Sequence, residues 1–182
     1  RLAYLVNQLL EFRRVEGGFH KNYYSFLDVS TLLSNIAGLF SHMVESKDLT
    51  YEIDIQKGIE MWVDKDKLEK IIFNLLSNAF KHSGQHQHIK FSVKGDGYLD
   101  KLEVCIANSG VDLKEEELEQ LFDRFFVKDD VKFNKVSSGI GLAFTSQLVK
   151  LLDGEITASC EKGWISFKLQ LPLSFVPNEE HI

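Results

Sequence analysis

The fold of this chain is decided by one stretch of its sequence, Leu68-Glu69-Lys70-Ile71-Ile72-Phe73-Asn74-Leu75-Leu76-Ser77-Asn78-Ala79-Phe80-Lys81-His82. The apolar residues of this stretch recur at intervals of three and four, which is the spacing of one face of a helix. That pattern predicts a helix packed against a hydrophobic core. The predicted apolar face consists of Leu68, Ile71, Ile72, Leu75, Leu76 and Ala79.

Two asparagines interrupt this pattern. Asn74 and Asn78 lie one helical turn apart at the edge of the apolar face, so their carboxamides point the same way. Two neutral oxygen ligands followed by Lys81 suit a magnesium ion whose other ligands are water and phosphate oxygens. The alternative is that both asparagines only border solvent.

Composition narrows the class of protein. With 182 residues, 44% hydrophobic and 12% aromatic, the chain can bury one sizeable core and is expected to form one domain with an appendage. Its net charge of -6, without a stripe of lysine and arginine, argues against nucleic acid as a partner. Cys105 and Cys160 lie far apart in apolar contexts, which favours buried thiols in a reducing compartment over a metal or redox motif.

The ends of the chain suggest an excised piece. No apolar run reaches the roughly 20 residues that cross a bilayer, and no signal-peptide pattern opens the given sequence. The chain is therefore cytosolic in character, and we expect contact with a membrane only through a longer parent protein. It begins at Arg1 inside an amphipathic pattern that ends at Gly17-Gly18, which predicts the end of a helix that needs a partner.

The rest of the chain alternates between strands and helices. A helix is predicted from an N-cap at Asp28 or Ser30 to about Val44, and a hairpin around Lys57-Gly58. Strands are predicted at 23–29, 49–55, 60–63, 88–93, 99–107, 155–160 and 164–171, a short acidic helix at 114–122, a loop at 127–136 and a last helix near Gly141. Strands paired with sequence neighbours, with helices between the pairs, predict an α+β fold: a two-layer α/β sandwich whose mostly antiparallel sheet is covered by helices on one face.

Two glycine sites complete the candidate chemistry. Gly139 and Gly141 at a helix start allow close backbone approach, and the free N–H groups there suit phosphate, although a purely structural helix start is the alternative. Asn108 and Gly110 follow a strand, where a polar side chain can hydrogen-bond a base edge; the alternative is a simple turn. The loop between the two sites is long enough to cover a bound ligand.

The order and spacing of these sites resemble the ATP-binding catalytic domain of sensor histidine kinases, in the superfamily shared with gyrase, Hsp90 and MutL, over residues 26–173. Asp64-Lys65-Asp66-Lys67-Leu68 through Asn78-Ala79-Phe80-Lys81-His82 is similar to the N box of that family. Phe122-Asp123-Arg124-Phe125-Phe126 resembles its F box, and Ser138-Gly139-Ile140-Gly141-Leu142-Ala143 resembles its second glycine box. The resemblance implies a Bergerat-type ATP-binding fold.

The resemblance also implies roles for single residues. Asn74 and Asn78 would hold Mg2+, with Asn78 and Lys81 acting in catalysis, and the second glycine box would cradle the phosphates of ATP beneath the lid. The implied nucleotide-binding residues are Asn74, Asn78, Lys81, His82, Asn108, Gly110, Phe122, Phe126, Ser138, Gly139, Ile140, Gly141 and Leu142.

Residues 1–18 resemble the end of the second dimerisation helix of these kinases, closest to the hybrid sensor kinases of gut Bacteroides-type bacteria. We therefore expect a dimerisation-helix remnant at 1–18, the catalytic domain at 19–174 and a flexible tail at 175–182. The implied partners are the protein's own upstream dimerisation helices with the phosphoacceptor histidine, a second copy of the full-length protein, and a response-regulator receiver domain. None of the six histidines has the His-Glu or His-Asp helix context of a phosphoacceptor: they are His20, His42, His82, His86, His88 and His181.

The chain departs from the family pattern in places. Where the first glycine box of the family reads Asp-x-Gly-x-Gly, this chain has Asn108-Ser109-Gly110-Val111-Asp112. By the resemblance, the missing aspartate accepts a hydrogen bond from the adenine amino group; the carboxamide of Asn108 can still accept one, without charge. Ser137 replaces another usual glycine, Val127 stands where arginine is common, and Lys128 is its candidate substitute.

Lys70 stands where the hydrolytic relatives place a glutamate that activates water, which predicts no substantial ATP hydrolysis. The leading hypothesis is an ATP-Mg-dependent histidine kinase domain, the cytoplasmic part of an inner-membrane sensor. The alternatives are a nucleotide-sensing or conformational module without chemistry, and an anti-sigma-factor serine kinase of the same superfamily, which the dimerisation-helix remnant disfavours.

Overall fold

The structure is a computed structural model that describes residues 21–124, 126, 139–174 and 176. The predicted dimerisation helix, the loop at 127–136 and most of the tail lie outside the described residues. The elements in chain order are β1 (Tyr24–Asp28), α1 (Val29–Gly38), α2 (Ser41–Lys47), β2 (Thr50–Ile55), β3 (Glu60–Asp64), α3 (Lys65–His82), β4 (His88–Asp96), β5 (Lys101–Ser109), α4 (Glu115–Glu119), α5 (Gly141–Leu151), β6 (Glu155–Glu161) and β7 (Trp164–Pro172).

The predicted α+β sandwich is confirmed. Five strands form one sheet in the order β2-β4-β5-β7-β6, and a separate two-stranded sheet pairs β1 with β3. Neighbours in the larger sheet are antiparallel except β2 and β4, which run parallel. Side chains alternate along each strand, so one face of the sheet is apolar and packs against α1, α3 and α5. The inward-facing residues of the central strands β4, β5 and β7 are Ile89, Phe91, Val93, Leu102, Val104, Ile106, Ile165, Phe167, Leu169 and Leu171.

Helix α3 forms as its periodicity predicts. Asp64 caps its N-terminus by accepting a hydrogen bond from the Lys67 N–H at 3.1 Å. Asp66 lies in its first turn and Lys81 in its last, which matches charge to the helix dipole. The side chains of Leu68, Ile71, Ile72, Leu75, Leu76, Ala79 and Phe80 are buried. Each buried leucine or isoleucine contributes roughly 1.5–3 kcal/mol of transfer free energy, so this face anchors α3 on the sheet.

The predicted hairpin of β2 and β3 is wrong. Instead, β3 pairs with β1 antiparallel and β2 pairs with β4 in parallel. The hydroxyl of Ser30 explains the divergence, because it donates to the Gln56 carbonyl oxygen at 2.7 Å and accepts from the Ile59 N–H at 2.9 Å. These hydrogen bonds hold the connection between β2 and β3 against the start of α1, and the two strands belong to different sheets. The hairpins predicted from β4 with β5 and from β6 with β7 are confirmed.

Two predicted helices have different bounds. The helix predicted to run to about Val44 is divided into α1 and α2, because the chain turns at Leu39 and Phe40. Phe40 is buried and stacks on Phe80 with ring centroids 5.0 Å apart, whereas Leu39 is exposed. The acidic helix predicted at 114–122 shortens to α4. Among the described residues, no helix combines the length and apolarity needed to cross a membrane.

Candidate functional site

Helix α3 meets helix α5 through Asn74. The Asn74 Nδ2 atom donates to the Gly141 carbonyl oxygen at 2.8 Å and to the Thr145 Oγ1 atom at 2.6 Å. Thr145 is itself buried, with 1% of its surface exposed. Because both Nδ2 hydrogens are used, the carboxamide of Asn74 has a fixed orientation, with Oδ1 as its remaining polar atom.

Gly141 is required for this approach. A Cβ atom built at Gly141 would lie 2.9 Å from Asn74 Oδ1 and 3.2 Å from Asn74 Nδ2. A larger residue would therefore displace the Asn74 side chain or push the two helices apart. The structure thus brings together one asparagine and one glycine that the sequence places 67 residues apart.

The other predicted residues of α3 follow in its last two turns. Asn78 is half-buried one turn after Asn74, and within the described part of the chain its carboxamide has no hydrogen-bond partner. Lys81 is half-buried and His82 is exposed in the last turn. Asn78 therefore presents an uncommitted amide on the helix that also holds Asn74.

Asn108 ends the inward-facing series of strand β5. Its predecessors Leu102, Val104 and Ile106 are buried against the helices, and Asn108 has 1% of its surface exposed. Within the described residues its side chain makes one hydrogen-bond contact, from Nδ2 to the Ser109 carbonyl oxygen at 3.5 Å. That distance is at the limit of a hydrogen bond, so the carboxamide faces the helix layer almost unrestrained.

Gly110 adopts a left-handed conformation, with φ at +79°. Its N–H donates to the Gly163 carbonyl oxygen at 2.9 Å. A Cβ atom at this position would lie 1.7 Å from the Gln87 Nε2 atom, so the Gln87 carboxamide rests directly on the glycine. The Gln87 Oε1 atom in turn accepts from the Gly84 N–H at 2.8 Å. These contacts hold the loop after α3 against the end of β5.

The remaining predicted residues precede α5 in the chain or begin it. Gly139 has a φ of +64°, Ile140 is buried, and Leu142 is half-buried on the core. Among these described residues, no side chain caps the N-terminus of α5. Phe122 is half-buried and contacts Phe167 edge-on at 6.3 Å between ring centroids. Phe126 is half-buried, and Ser138 lies outside the described residues, as do Ser137, Val127 and Lys128.

Two residues were missed in the sequence. Thr145 lies one turn after Gly141 on the same helix face, so its position relative to the second glycine box was a usable signal. Gln87 had no local signal, because its contact with Gly110 depends on how the loop after α3 meets the end of β5. Asp112, which replaces a usual glycine, is exposed.

Ion pairs fix the first half of α3. A buried pair joins Lys67 Nζ to Asp64 Oδ2 at 2.5 Å, and the Tyr23 N–H donates to the same oxygen at 2.9 Å. Burial acts to raise the pKa of Asp64, but these hydrogen bonds outweigh it and hold the pKa below its ordinary value. On the surface, Lys70 pairs with Asp66 at 2.9 Å.

The thiols and acidic groups offer little metal chemistry. Cys105 and Cys160 are free and half-buried rather than fully buried, and burial raises the pKa of Cys105. The described residues contain no group of three or more histidine, cysteine, aspartate or glutamate side chains that could hold a metal ion.

Comparisons with known proteins agree with this arrangement. The family model described as "Histidine kinase-, DNA gyrase B-, and HSP90-like ATPase" matches residues 63–174. The sensor protein kinase WalK of Staphylococcus epidermidis is 26% identical over 90% of this chain, and the matched region covers 27% of WalK. The chain thus spans about a quarter of the length of that relative.

Solved structures share the fold. Full-length ShkA in complex with AMPPNP has a TM-score of 0.84 at 21% identity, over 97% of this chain and 37% of ShkA. Histidine kinase ThkA in complex with the response regulator protein TrrA has a TM-score of 0.73 at 18% identity, over 94% of this chain and 49% of that chain. The Bacteroides-type origin stays a prediction. The family match, which begins at β3 and runs through both glycine-rich turns, leads to one conclusion: the chain belongs to the histidine kinase-, DNA gyrase B- and HSP90-like ATPases, as an ATP-binding domain of the sensor histidine kinase type.

Proposed function

We propose that this domain binds Mg2+·ATP and delivers the γ-phosphoryl group to a histidine on a dimerisation helix outside the chain. One observation carries the proposal: Asn74 of the N box and Gly141 of the second glycine box lie in direct contact, linked at 2.8 Å from Asn74 Nδ2 to the Gly141 carbonyl oxygen. The two motifs that the resemblance assigns to metal and phosphate therefore border one site.

The donor chemistry fits magnesium. Mg2+ prefers oxygen ligands and keeps several waters and phosphate oxygens in its shell, so two neutral carboxamides suffice on the protein side. Asn74 Oδ1 and the amide oxygen of Asn78 are the proposed ligands. When bound, magnesium neutralises negative charge on the phosphates of the nucleotide. The fixed orientation of Asn74 keeps its oxygen available, since both hydrogens on Nδ2 are donated to α5.

The phosphates are proposed to lie at the start of α5. The first N–H groups of a helix are unsatisfied within the helix, and the dipole favours an anion there. Gly139 supplies a left-handed turn just before it, and no described side chain caps this end. Lys81, one turn beyond Asn78 on α3, is proposed to add a positive charge. Catalysis then rests on positioning and charge neutralisation.

The presence of Lys70 favours transfer of the phosphoryl group to a histidine over hydrolysis of ATP. The Lys70 ammonium group pairs with Asp66 at 2.9 Å, and a protonated lysine cannot take a proton from water. The same proposal includes four further features: the phosphoacceptor helix, a homodimer of the full-length protein, a receiver domain as the next acceptor and an inner-membrane parent. The complex of ThkA with a response regulator supports the receiver domain as a partner by analogy.

Calorimetric titration tests the proposal. The chain is titrated with ATP and with a non-hydrolysable analogue, with and without magnesium, beside an Asn78→Ala variant. We expect magnesium-dependent binding that the substitution abolishes. Glu69→Ala, a change on the same helix at a side chain that is 42% exposed, serves as the matched control and should bind like the wild type. A folded sample that binds nothing at millimolar nucleotide would contradict the proposal.

A conformational module without kinase chemistry is the second candidate. It is favoured by the first glycine box, where Asn108 and Asp112 replace the residues of the family pattern. The exposed position of Asp112 weakens it, because that carboxylate does not point into the core. The same titration separates the two candidates, since the module predicts a folded domain without magnesium-dependent binding.

A further inference from the structure

We propose that the base-binding end of this site accepts purine nucleotides carrying either an amino group or a carbonyl group at C6, because the residue that faces the base is Asn108. This inference rests on the proposed function and concerns its substrate class: 6-amino and 6-oxo purine nucleoside triphosphates. It follows from how the carboxamide of Asn108 is buried and how weakly it is held.

Asn108 lies between two apolar side chains on the neighbouring strands. Its register partners on the two neighbouring strands are Ile89 of β4 and Ile165 of β7. Both isoleucines are buried, at 0% and 6% exposure, and their side chains are purely apolar. A buried amide without a good partner loses free energy, so a ligand that supplies the partner gains it.

Among the described residues, no strong hydrogen bond fixes the orientation of the Asn108 carboxamide. Its one hydrogen-bond contact within the described residues is the 3.5 Å approach of Nδ2 to the Ser109 carbonyl oxygen. The terminal torsion of asparagine is broad and roughly two-fold, so a half-turn that exchanges Oδ1 and Nδ2 costs little. Asn74 differs in this respect, because its Nδ2 atom holds two partners at 2.8 and 2.6 Å.

A freely turning carboxamide serves both kinds of purine. With Oδ1 toward the base, Asn108 accepts a hydrogen bond from a 6-amino group. With Nδ2 toward the base, it donates one to a 6-carbonyl oxygen. A carboxylate at the same place could only accept, so it would pair with the amino group and repel the carbonyl oxygen. The replacement of aspartate by asparagine therefore removes a source of discrimination.

Inosine triphosphate is the sharpest probe. It carries the 6-carbonyl group but lacks the 2-amino group of guanine, so it differs from ATP only at C6 and in the proton that N1 carries. Dissociation constants for ATP, ITP and GTP are measured by calorimetry with magnesium on the wild type and on Asn108→Asp. We expect the wild type to bind ITP within about tenfold of ATP, and Asn108→Asp to shift the ratio toward ATP by about tenfold to a hundredfold.

Asn108→Ala keeps the test decisive if the buried carboxylate of Asn108→Asp prevents folding. That variant can form neither the hydrogen bond to a 6-amino group nor the one to a 6-carbonyl group. The affinities for ATP and ITP should therefore fall together, and their ratio should stay near the wild-type value. Thermal unfolding confirms that each variant is folded. GTP is expected to follow ITP.

Three outcomes would overturn the inference. The first is ITP binding more than about a hundredfold weaker than ATP binding in the wild type, which would mean that Asn108 is fixed or does not face C6. The second is a folded Asn108→Asp variant with an unchanged ratio. The third is an Asn108→Ala variant that gains strong preference for ATP. In each case ATP still binds, so the proposed function stands. Loss of all nucleotide binding would instead contradict both the proposed function and this inference.

Discussion

Asn74 and Asn108 bring the same side-chain chemistry to the two ends of the proposed nucleotide site, but the protein holds them in opposite ways. Asn74 donates twice, to Gly141 and Thr145, and cannot turn without losing both bonds. Asn108 is more deeply buried, yet within the described part of the chain its side chain makes a single hydrogen-bond contact, at 3.5 Å. Burial alone therefore does not fix a polar side chain; partners do. If the proposal is correct, the phosphate end is pre-organised, whereas the base end is adaptable.

The largest effect is expected where α3 begins, because the buried ion pair there supports the helix that carries Asn74. Asp64→Asn removes the negative charge that pairs with the buried Lys67 ammonium, and it leaves one acceptor oxygen where the carboxylate uses two, for the Lys67 N–H on one side and for Lys67 Nζ and the Tyr23 N–H on the other. Breaking such a pair costs about 3–5 kcal/mol of unfolding free energy. Urea unfolding measures it. Asp66→Asn is the matched control: it removes the exposed partner of Lys70 and should change stability by less than about 1 kcal/mol.

The same carboxylate gives a pH dependence with a definite sign. Although burial opposes it, hydrogen bonding keeps the pKa of Asp64 in the folded protein below its ordinary value. Its contribution to stability is therefore fully present above an unfolded-state pKa of about 3.9 and is lost as the pH falls through the lower folded-state value. Below about pH 4 the wild type should lose stability more steeply than Asp64→Asn. Parallel curves for the two proteins would contradict the assignment.

The next effect is on binding at the phosphate end. In Gly141→Ala, the new Cβ atom would lie 2.9 Å from Asn74 Oδ1, the proposed magnesium ligand. We expect Mg2+·ATP affinity to fall by about tenfold to a hundredfold, equivalent to roughly 1.4–2.8 kcal/mol. The matched control is Gly38→Ala, where a Cβ atom meets nothing within 4 Å. Wild-type affinity in Gly141→Ala would mean that Asn74 does not hold the metal.

A smaller change tests whether the carboxamide of Asn74 can be made as weakly held as that of Asn108. Thr145→Val keeps the shape of the buried side chain but removes the Oγ1 atom that accepts from Asn74 at 2.6 Å. Loss of one buried partner costs about 1–3 kcal/mol of unfolding free energy. Because the carboxamide is then held by Gly141 alone, magnesium should contribute less to ATP affinity than in the wild type. Thr145→Ser, which retains the hydroxyl, should restore that contribution.

Much of this architecture was readable in the sequence because it depends on local pattern. The periodicity of residues 68–82 and the N-cap Asp64 determine α3 within one segment, and the strand pair β4 and β5 has its turn between sequence neighbours. The partners of β2 and β3 depend on Ser30, which no local pattern reveals. The actual pairing of β2 with β4 joins strands separated by β3 and α3.

In the candidate site, too, the sequence predicted the residues but not the contacts between them. The motif order selected Asn74, Asn108, Gly110 and Gly141, because each lies at a helix face or a strand end that the pattern marks. How each amide is held could not be predicted, since Thr145 lies 71 residues from Asn74 in the chain. Gln87 was missed for that reason too: its contact with Gly110 arises from the packing of a loop against a strand end.

Gln87 provides the smallest expected effect and the closest test of the base end. Its Oε1 atom accepts from the Gly84 N–H at 2.8 Å while its amide rests on Gly110. Gln87→Ala removes one hydrogen bond, worth about 1 kcal/mol, and frees the loop that follows α3. If Gln87 acts only by holding this loop, ATP and ITP affinities should fall equally and by less than about tenfold. Gln85→Ala, an exposed change in the same loop, should alter neither. A change in the ATP-to-ITP ratio would instead place Gln87 against the base, and the base end would then have two carboxamides that choose the purine.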